Sequence, residues 1–274
     1  MLKKLLKQEW KSFFPAPTIT MIILAAVTLI LMSTFMTSFW EESSNIFADL
    51  FASLTIMAYI FCLAALSLCV TICTAIRFYK NLFTDEGYLM FTLPVKTSDL
   101  LLSKALVSVF WKLISIIFTV LSILGIASVG IAYLSDTSII QFFQEFSEVF
   151  QELLAELRET LAIPISLFIL WLLIIGICSL FFSTLFIYTC ICLGQFWSKH
   201  KIGGAIIAYF GLRFVFNIFK RIFTIPVINF FDTDNLSTGG WILLMFVSLV
   251  IMGGLCAALY CACNYIMSKK LNLD

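Results

Sequence analysis

Long apolar runs recur along this chain and limit what it can fold into. A helix that crosses the hydrocarbon core of a membrane needs about 20 mainly apolar residues in succession. Six segments meet this requirement: Thr18–Trp40, Leu50–Ile76, Leu113–Leu134, Ile163–Tyr188, Ile202–Phe219 and Trp241–Met267. Charged residues make up only 12% of the 274-residue chain, against about 25% in soluble domains. We therefore predict an all-α, polytopic membrane protein with six transmembrane helices in a single domain, residues 1–274.

The positions of the basic residues predict the orientation of these helices. Cytoplasmic loops of membrane proteins carry an excess of Lys and Arg. If the N-terminus lies inside, the cytoplasmic side receives thirteen of the seventeen Lys and Arg residues, while most acidic residues fall outside. The opposite orientation would place nearly every basic residue outside. We therefore predict a multi-pass protein with both termini in the cytoplasm, and the net charge of +1 gives no reason to expect a nucleic-acid partner.

Two segments outside the apolar runs have an amphipathic helical pattern. Residues 1–14 place Leu2, Leu6, Trp10 and Phe13 at helical spacing beside several lysines, which is typical of a basic helix at the inner membrane surface. Residues 135–160 carry apolar side chains every three or four positions and glutamates between them. This second segment is too polar to cross a membrane. We predict an extracellular amphipathic helix that packs on this protein or on a second copy, or contacts lipid or substrate.

The polar stretch TDEGYLMFTLPVKTSDLLLSK, Thr84 to Lys104, interrupts the apolar pattern between the second and third predicted spans. Pro94 would end a short helix that starts near Asp85, and Thr97-Ser98-Asp99 is typical of the start of a second helix. Large apolar residues in a cytoplasmic loop indicate either a partner surface or burial at the lipid interface. The residues alone favour neither a coupling element nor a simple tether between two helices.

The same stretch resembles the first cytoplasmic loop of the permease subunits of ABC type-2 exporters. That loop carries an acidic residue, a Gly, an aromatic residue or Thr, two Leu residues, a Pro and a Lys at the entry to the third span. The matching residues here are Glu86, Gly87, Tyr88, Leu89, Leu93, Pro94 and Lys104. Gly87 and Pro94 are closer together than in common drug and polysaccharide permeases, so the substrates of those branches do not transfer. In overall size, loop motif and acidic outer helix, the chain looks most like the permeases of phenol-soluble-modulin exporters.

The resemblance implies a bacterial cell-membrane permease that forms a homodimer above two copies of a separate ATPase subunit, which would bind ATP and Mg²⁺. It also implies a coupling helix that docks into the ATPase, and an amphipathic, membrane-active peptide as substrate. The residues that would form the coupling contact are Asp85, Glu86, Gly87, Tyr88, Leu89, Phe91, Leu93 and Pro94. Alternatives are a permease for peptide-antibiotic self-protection or for another hydrophobic substrate, a channel or secondary transporter that uses no ATPase, and a structural or sensing membrane subunit.

A polar stripe interrupts the fifth predicted span. Arg213, Asn217, Lys220 and Thr224 are spaced by four, three and four residues and therefore share one helical face. Charges facing lipid are costly, so this face should meet a partner helix or water. It either lines the translocation path, or Arg213 is paired internally while Lys220 and Arg221 reach the outer surface. Pro226 is expected to break the helix before the sixth span, and the resemblance implies short re-entrant helices there.

Nothing in the chain predicts an enzyme or a metal site. The phosphate-binding pattern G-x-x-x-x-G-K-[ST] and the zinc pattern H-E-x-x-H are both absent, and His200 is the only histidine. All nine cysteines lie in apolar runs, and two pairs have one residue between them, unlike the usual zinc spacing. They are interpreted as small apolar side chains within helices. We expect no catalytic residue and no cofactor in this chain.

Overall fold

The chain is almost entirely helical in the part that its computed structural model describes, residues 2–35, 46–84, 96–134, 138–161, 163–197, 201–230 and 238–269. The helices are α1 (Leu2–Phe13), α2 (Pro15–Phe35), α3 (Ile46–Phe83), α4 (Thr97–Leu134), α5 (Ile139–Leu161), α6 (Ile165–Gly194), α7 (Lys201–Phe230) and α8 (Thr238–Lys269). Six of them, α2 to α4 and α6 to α8, contain stretches long and apolar enough to cross a membrane. The all-α prediction with six such helices is confirmed and indicates a multi-pass membrane protein, whereas the orientation stays a prediction.

Helix α4 begins well before the third predicted span, which was placed at Leu113–Leu134. It starts at Thr97, where the carbonyl of Lys96 accepts hydrogen bonds from the backbone N–H groups of Asp99 and Leu100, at 3.0 and 3.2 Å. The predicted helix start at Thr97-Ser98-Asp99 is therefore confirmed. That helix continues into the third span without a break, because the lysines that interrupt the hydropathy pattern do not interrupt the backbone hydrogen bonds of a helix.

The prediction that Pro226 breaks the helix before the sixth span is wrong. Helix α7 runs from Lys201 to Phe230 and includes Pro226. A proline removes one backbone hydrogen bond and crowds the preceding turn. Helices in membranes tolerate this residue because neighbouring groups and local adjustments satisfy the freed carbonyl. The expected re-entrant helices before α8 could involve only residues 231–237, which lie outside the described residues.

The chain divides into two compact units, each formed from separated segments. The N-terminal unit comprises Leu6–Thr74 and Val107–Leu153. Its buried core brings together Leu24 of α2, Val70 of α3 and Trp111 of α4. The Trp111 ring packs against Trp10 and Phe13 of α1, with ring centroids 5.2 and 6.1 Å apart.

The C-terminal unit comprises Met1–Leu5, Ala75–Leu106 and Leu154–Asp274. In this unit α6 packs against both α7 and α8. Trp171 of α6 donates a hydrogen bond to the Ser248 hydroxyl of α8, at 3.0 Å. At the other end of α6, a Cβ atom on Gly194 would lie 2.5 Å from the backbone nitrogen of Ala205. A glycine is therefore needed where α7 turns back against α6.

The two amphipathic segments are helical, as predicted. Helix α5 starts with a reciprocal pair of hydrogen bonds between Ser138 and Gln141, at 2.8 and 3.3 Å, which satisfies two free backbone N–H groups. In its apolar stripe Phe142 is buried, but Phe146, Val149 and Leu153 are each 46–62% exposed. Most of the stripe is thus uncovered in the single chain. The membrane-surface position of α1 and the extracellular position of α5 stay predictions.

Candidate functional site

The residues that the sequence predicts as the ATPase contact lie outside the described residues. Asp85, Glu86, Gly87, Tyr88, Leu89, Phe91, Leu93 and Pro94 all fall within residues 85–95. The structure does describe the two segments that enter and leave this stretch. These are the end of α3 up to Thr84 and the start of α4 from Lys96, and both belong to the C-terminal unit.

The end of α3 is held by aromatic packing against α6. The Phe78 ring stacks on the Tyr188 ring, with centroids 3.8 Å apart and planes 10° apart. Phe78 and Leu82 are both essentially inaccessible to solvent. Phe83, the last residue of α3, packs edge-on against Phe78 with centroids 5.9 Å apart. The chain therefore reaches Thr84 from a helix that is fixed up to its last turn.

The start of α4 is held by hydrogen bonds to α8. The Tyr260 hydroxyl donates a hydrogen bond to the backbone carbonyl of Ser98, at 3.1 Å. The Thr97 hydroxyl donates to the Asn264 side-chain oxygen, at 3.0 Å. Leu101 lies one turn later and is fully buried in the same core cluster as residues of α6 and α8.

Residues 85–95 therefore connect two fixed ends. One end is attached to α6 through Phe78 and Tyr188, and the other to α8 through Tyr260 and Asn264. Because α6 and α8 also pack against each other, a force on one end reaches the same helix pair as a force on the other end. The segments on both sides of residues 85–95 are thus attached to one pair of apolar helices.

Lys104, the last residue of the predicted loop, lies inside α4 and is only 3% exposed. Its neighbour Ser103 is also buried and donates a hydrogen bond to the Leu100 carbonyl, at 2.8 Å. Burial of an ammonium group is costly unless polar groups compensate it. Lys104 lies about two turns after the start of α4 at Thr97, and its correspondence to the Lys of the permease loop stays a prediction. Its burial depends on how the helices pack, and no local pattern in the sequence indicated it.

The structure describes half of the polar stripe on α7. Arg213 donates a hydrogen bond from its guanidinium to the Tyr209 hydroxyl, at 2.7 Å, and its Cζ lies 5.9 Å from the centroid of that ring. Arg213 and Asn217 are both exposed in the single chain. Because α7 is continuous, the two residues share a face with positions 220 and 224, as predicted. The side chains of Lys220 and Thr224 lie outside the described part of the chain, and whether the stripe lines a path stays a prediction.

Sequence reasoning missed an apolar groove of about 520 Å³ in the C-terminal unit. It lies between the end of α3, the end of α6 and the start of α7. Its lining residues are Ala75, Ile76, Tyr79, Lys80, Thr84, Ile187, Cys190, Ile191, Ile202, Ala205, Ile206 and Tyr209. Tyr209 connects it to Arg213, and Thr84 connects it to the root of the predicted coupling loop. The one local sequence feature that could have indicated the groove was the presence of Tyr and Lys near helix ends, where membrane proteins place interfacial residues.

Comparisons with protein families, with functionally described proteins and with solved structures found no match to this chain. Within the described residues, no group of three or more His, Cys, Asp or Glu side chains could hold a metal ion. None of the nine cysteines, all of which lie among the described residues, forms a disulfide bond. The Cys192 and Cys263 sulfur atoms lie 3.3 Å apart in the buried contact between α6 and α8.

Proposed function

We propose that this protein is the permease subunit of an ATP-driven ABC exporter of amphipathic peptides, and that residues 85–95 form its contact with a separate ATPase. The observation that carries the proposal is the attachment of both ends of this stretch to the α6–α8 pair. The Phe78–Tyr188 stack holds one end, and the hydrogen bond from Tyr260 to Ser98 holds the other.

A coupling element needs to be attached at both ends for a physical reason. A soluble motor can move membrane helices only through a connection that does not itself yield. A loop that was free at either end would absorb the displacement, whereas a loop fixed at both ends transmits it. The charges and large apolar groups of residues 85–95 suit a partner surface. The chain lacks a phosphate-binding loop, so the ATPase in this proposal is another subunit.

The surface chemistry of helix α5 is the reason to propose an amphipathic peptide as the substrate. Phe142, Phe146 and Phe150 follow each other at helical spacing, with successive ring centroids 6.1 and 6.4 Å apart. Glutamates such as Glu145 and Glu152 are exposed on the same helix. An apolar stripe beside carboxylates is complementary to a peptide helix with an apolar face and basic residues.

The test begins with a search for a P-loop ATPase encoded beside this gene and continues with reconstitution of the two proteins. The permease and the ATPase are co-expressed, purified on a tag on the permease and placed in liposomes. We expect the two proteins to co-purify, and a cationic amphipathic helical peptide to stimulate ATP hydrolysis. A peptide of the same composition, with its apolar residues scattered around the helix, serves as the control.

Each outcome bears on one part of the proposal. Absence of a neighbouring P-loop protein, or failure of such a protein to bind, contradicts the ABC assignment and favours a channel or secondary transporter. Binding with equal stimulation by both peptides retains the ABC assignment and contradicts the amphipathic substrate. In that case antibiotic-like or other hydrophobic molecules become the candidates to test.

A further inference from the structure

The groove of the C-terminal unit has the shape and chemistry of a site for one end of an amphiphile. Its volume of about 520 Å³ is within the usual range of small-molecule sites. Cys190 and Ile191 of α6 are buried and form its inner wall, whereas Ile202 and Ile206 of α7 are 64% and 54% exposed at its opening. The groove is therefore open towards the outer face of the helices.

The surface of the groove is almost wholly apolar, and the basic residues beside it lie at helix ends. Lys80 lies in the last turn of α3 and is exposed, and Thr84 follows the last residue of that helix. Lys201 begins α7 immediately before the lining residue Ile202. Positive charge thus lies at the helix ends, while isoleucines such as Ile187 and Ile191 line the inner part of the groove. A ligand that matches this distribution has an anionic head and an apolar chain.

We propose that this groove binds one anionic phospholipid of the adjacent leaflet, with an acyl chain between α3, α6 and α7 and the phosphate near Lys80 and Lys201. Basic pockets between membrane helices recognise anionic headgroups in this way. A phospholipid suits the groove because the open side lies on helices that are apolar enough to span a membrane, where lipid is the surrounding solvent. The proposal holds whether or not the protein works with an ATPase.

The site lies at the root of residues 85–95. Thr84 lines the groove and is the last described residue before that stretch. Ile76, Tyr79 and Lys80 belong to the same helical end that carries Phe78, and Phe78 faces α6. A bound acyl chain would add contacts to one side of this helix end, and we therefore expect it to stabilise the fold as well as to bind.

The test measures lipid retention and thermal stability of the purified protein in a non-ionic detergent. Phosphatidylglycerol and phosphatidylcholine with identical acyl chains are added separately, and lipid that remains after gel filtration is quantified by mass spectrometry. We expect retention of phosphatidylglycerol above the level of phosphatidylcholine, together with a higher Tm. Ile206→Trp, which fills the groove, and Lys80→Gln, which removes the charge, should both reduce retained phosphatidylglycerol to the phosphatidylcholine level.

Two matched variants act as controls. Ile207→Trp changes the next residue of α7, which is 59% exposed and does not line the groove. Lys11→Gln removes an exposed charge from α1. Both should keep the preference for phosphatidylglycerol. A lower Tm of Ile206→Trp in the absence of lipid would mean that the substitution perturbs the fold. In that case the retention of phosphatidylglycerol by Lys80→Gln tests the proposal.

Three results would overturn the proposal. Equal retention of both lipids would show that charge does not select the ligand. Unchanged phosphatidylglycerol retention in Ile206→Trp and Lys80→Gln would place any bound lipid elsewhere. A disulfide-linked dimer formed through Ile206→Cys, in a background whose other cysteines are replaced by serine, would instead identify a second copy of this chain as the occupant.

Discussion

The Phe78 ring lies almost parallel to the Tyr188 ring, at a centroid distance of 3.8 Å, and both side chains are about 1% exposed. This stack joins the last turns of α3 to α6, immediately before the stretch that resembles a coupling loop. The attachment is therefore part of the core of the C-terminal unit, and its strength can be measured independently of any transport assay.

Phe78→Ala should destabilise the protein strongly. Replacing a buried Phe with Ala in a packed core costs about 3–5 kcal/mol, because the cavity is only partly refilled. We expect a clearly lower Tm of the purified protein in detergent. Phe210→Ala is the control, since Phe210 on α7 is 67% exposed and should leave the Tm almost unchanged. Equal effects of the two substitutions would contradict the anchoring role of the stack.

The distribution of charges predicts that α5 lies outside the cell and residues 84–104 inside. Single cysteines at positions 146 and 91, in a background without other cysteines, can be labelled with a membrane-impermeant maleimide on intact cells. We expect labelling at position 146, where the native Phe146 is 46% exposed, and none at position 91 until the cells are opened. The reverse pattern would invert the orientation of all six apolar helices.

Replacing both Leu89 and Phe91 with Ala should weaken binding of the ATPase subunit. Burial contributes about 1.5–3 kcal/mol for each large apolar side chain. Since 1.4 kcal/mol corresponds to a factor of ten, we expect association to weaken more than tenfold. Co-purification and stimulated ATP hydrolysis should fall together, while the Tm of the permease alone stays near that of the wild type.

A matched control for this double variant is Leu54→Ala with Phe61→Ala. It removes the same side-chain types from exposed positions of α3, which are 65% and 74% accessible. This pair should leave ATPase association unchanged. Normal ATPase binding and transport in the Leu89/Phe91 variant would show that residues 85–95 are only a tether, and the ABC assignment would lose its main support.

Arg213→Leu should alter transport without loss of the folded complex. The guanidinium is bonded to the Tyr209 hydroxyl but remains exposed, so we expect its removal to change the chemistry of a surface more than the packing of the helices. Tyr209→Phe removes the same hydrogen bond and keeps the charge. If the stripe lines a path, only Arg213→Leu should change substrate-dependent transport. Loss of the complex on a sizing column in both variants would assign the pair a structural role.

Oxidation should join Cys192 to Cys263 in a protein that retains only these two cysteines. Their sulfur atoms lie 3.3 Å apart between α6 and α8. A membrane-permeant oxidation catalyst should therefore produce a disulfide, and cleavage at a protease site inserted between α7 and α8 then leaves the fragments linked. The pair Cys192 and Cys261 is the control, because Cys261 is exposed on another face of α8. Equal cross-linking of the two pairs would contradict the packing of α6 on α8.

Local properties of the sequence were enough to predict the helices. Hydropathy over about 20 residues located six apolar segments, and three-to-four-residue periodicity located α5. The Thr97-Ser98-Asp99 run correctly marked the start of α4. Each of these features depends on neighbouring residues of the same segment, which is why a single sequence predicts them. The wrong prediction at Pro226 has the same origin, since it used only the local preference of proline, whereas α7 continues through this residue to Phe230.

Contacts between segments that are far apart in the sequence decided how the helices pack and how the polar stretch is anchored. Burial of Lys104, attachment of Ser98 to Tyr260 and the groove beside Thr84 all depend on which helices become neighbours. In an apolar chain almost every face of a helix is hydrophobic, so periodicity no longer distinguishes a face that meets lipid from one that meets protein. The sequence therefore determined where the membrane helices lie and where the polar stretch interrupts them. Only the tertiary structure decided how that stretch is anchored, because specific packing and hydrogen bonds select the partners of each helix.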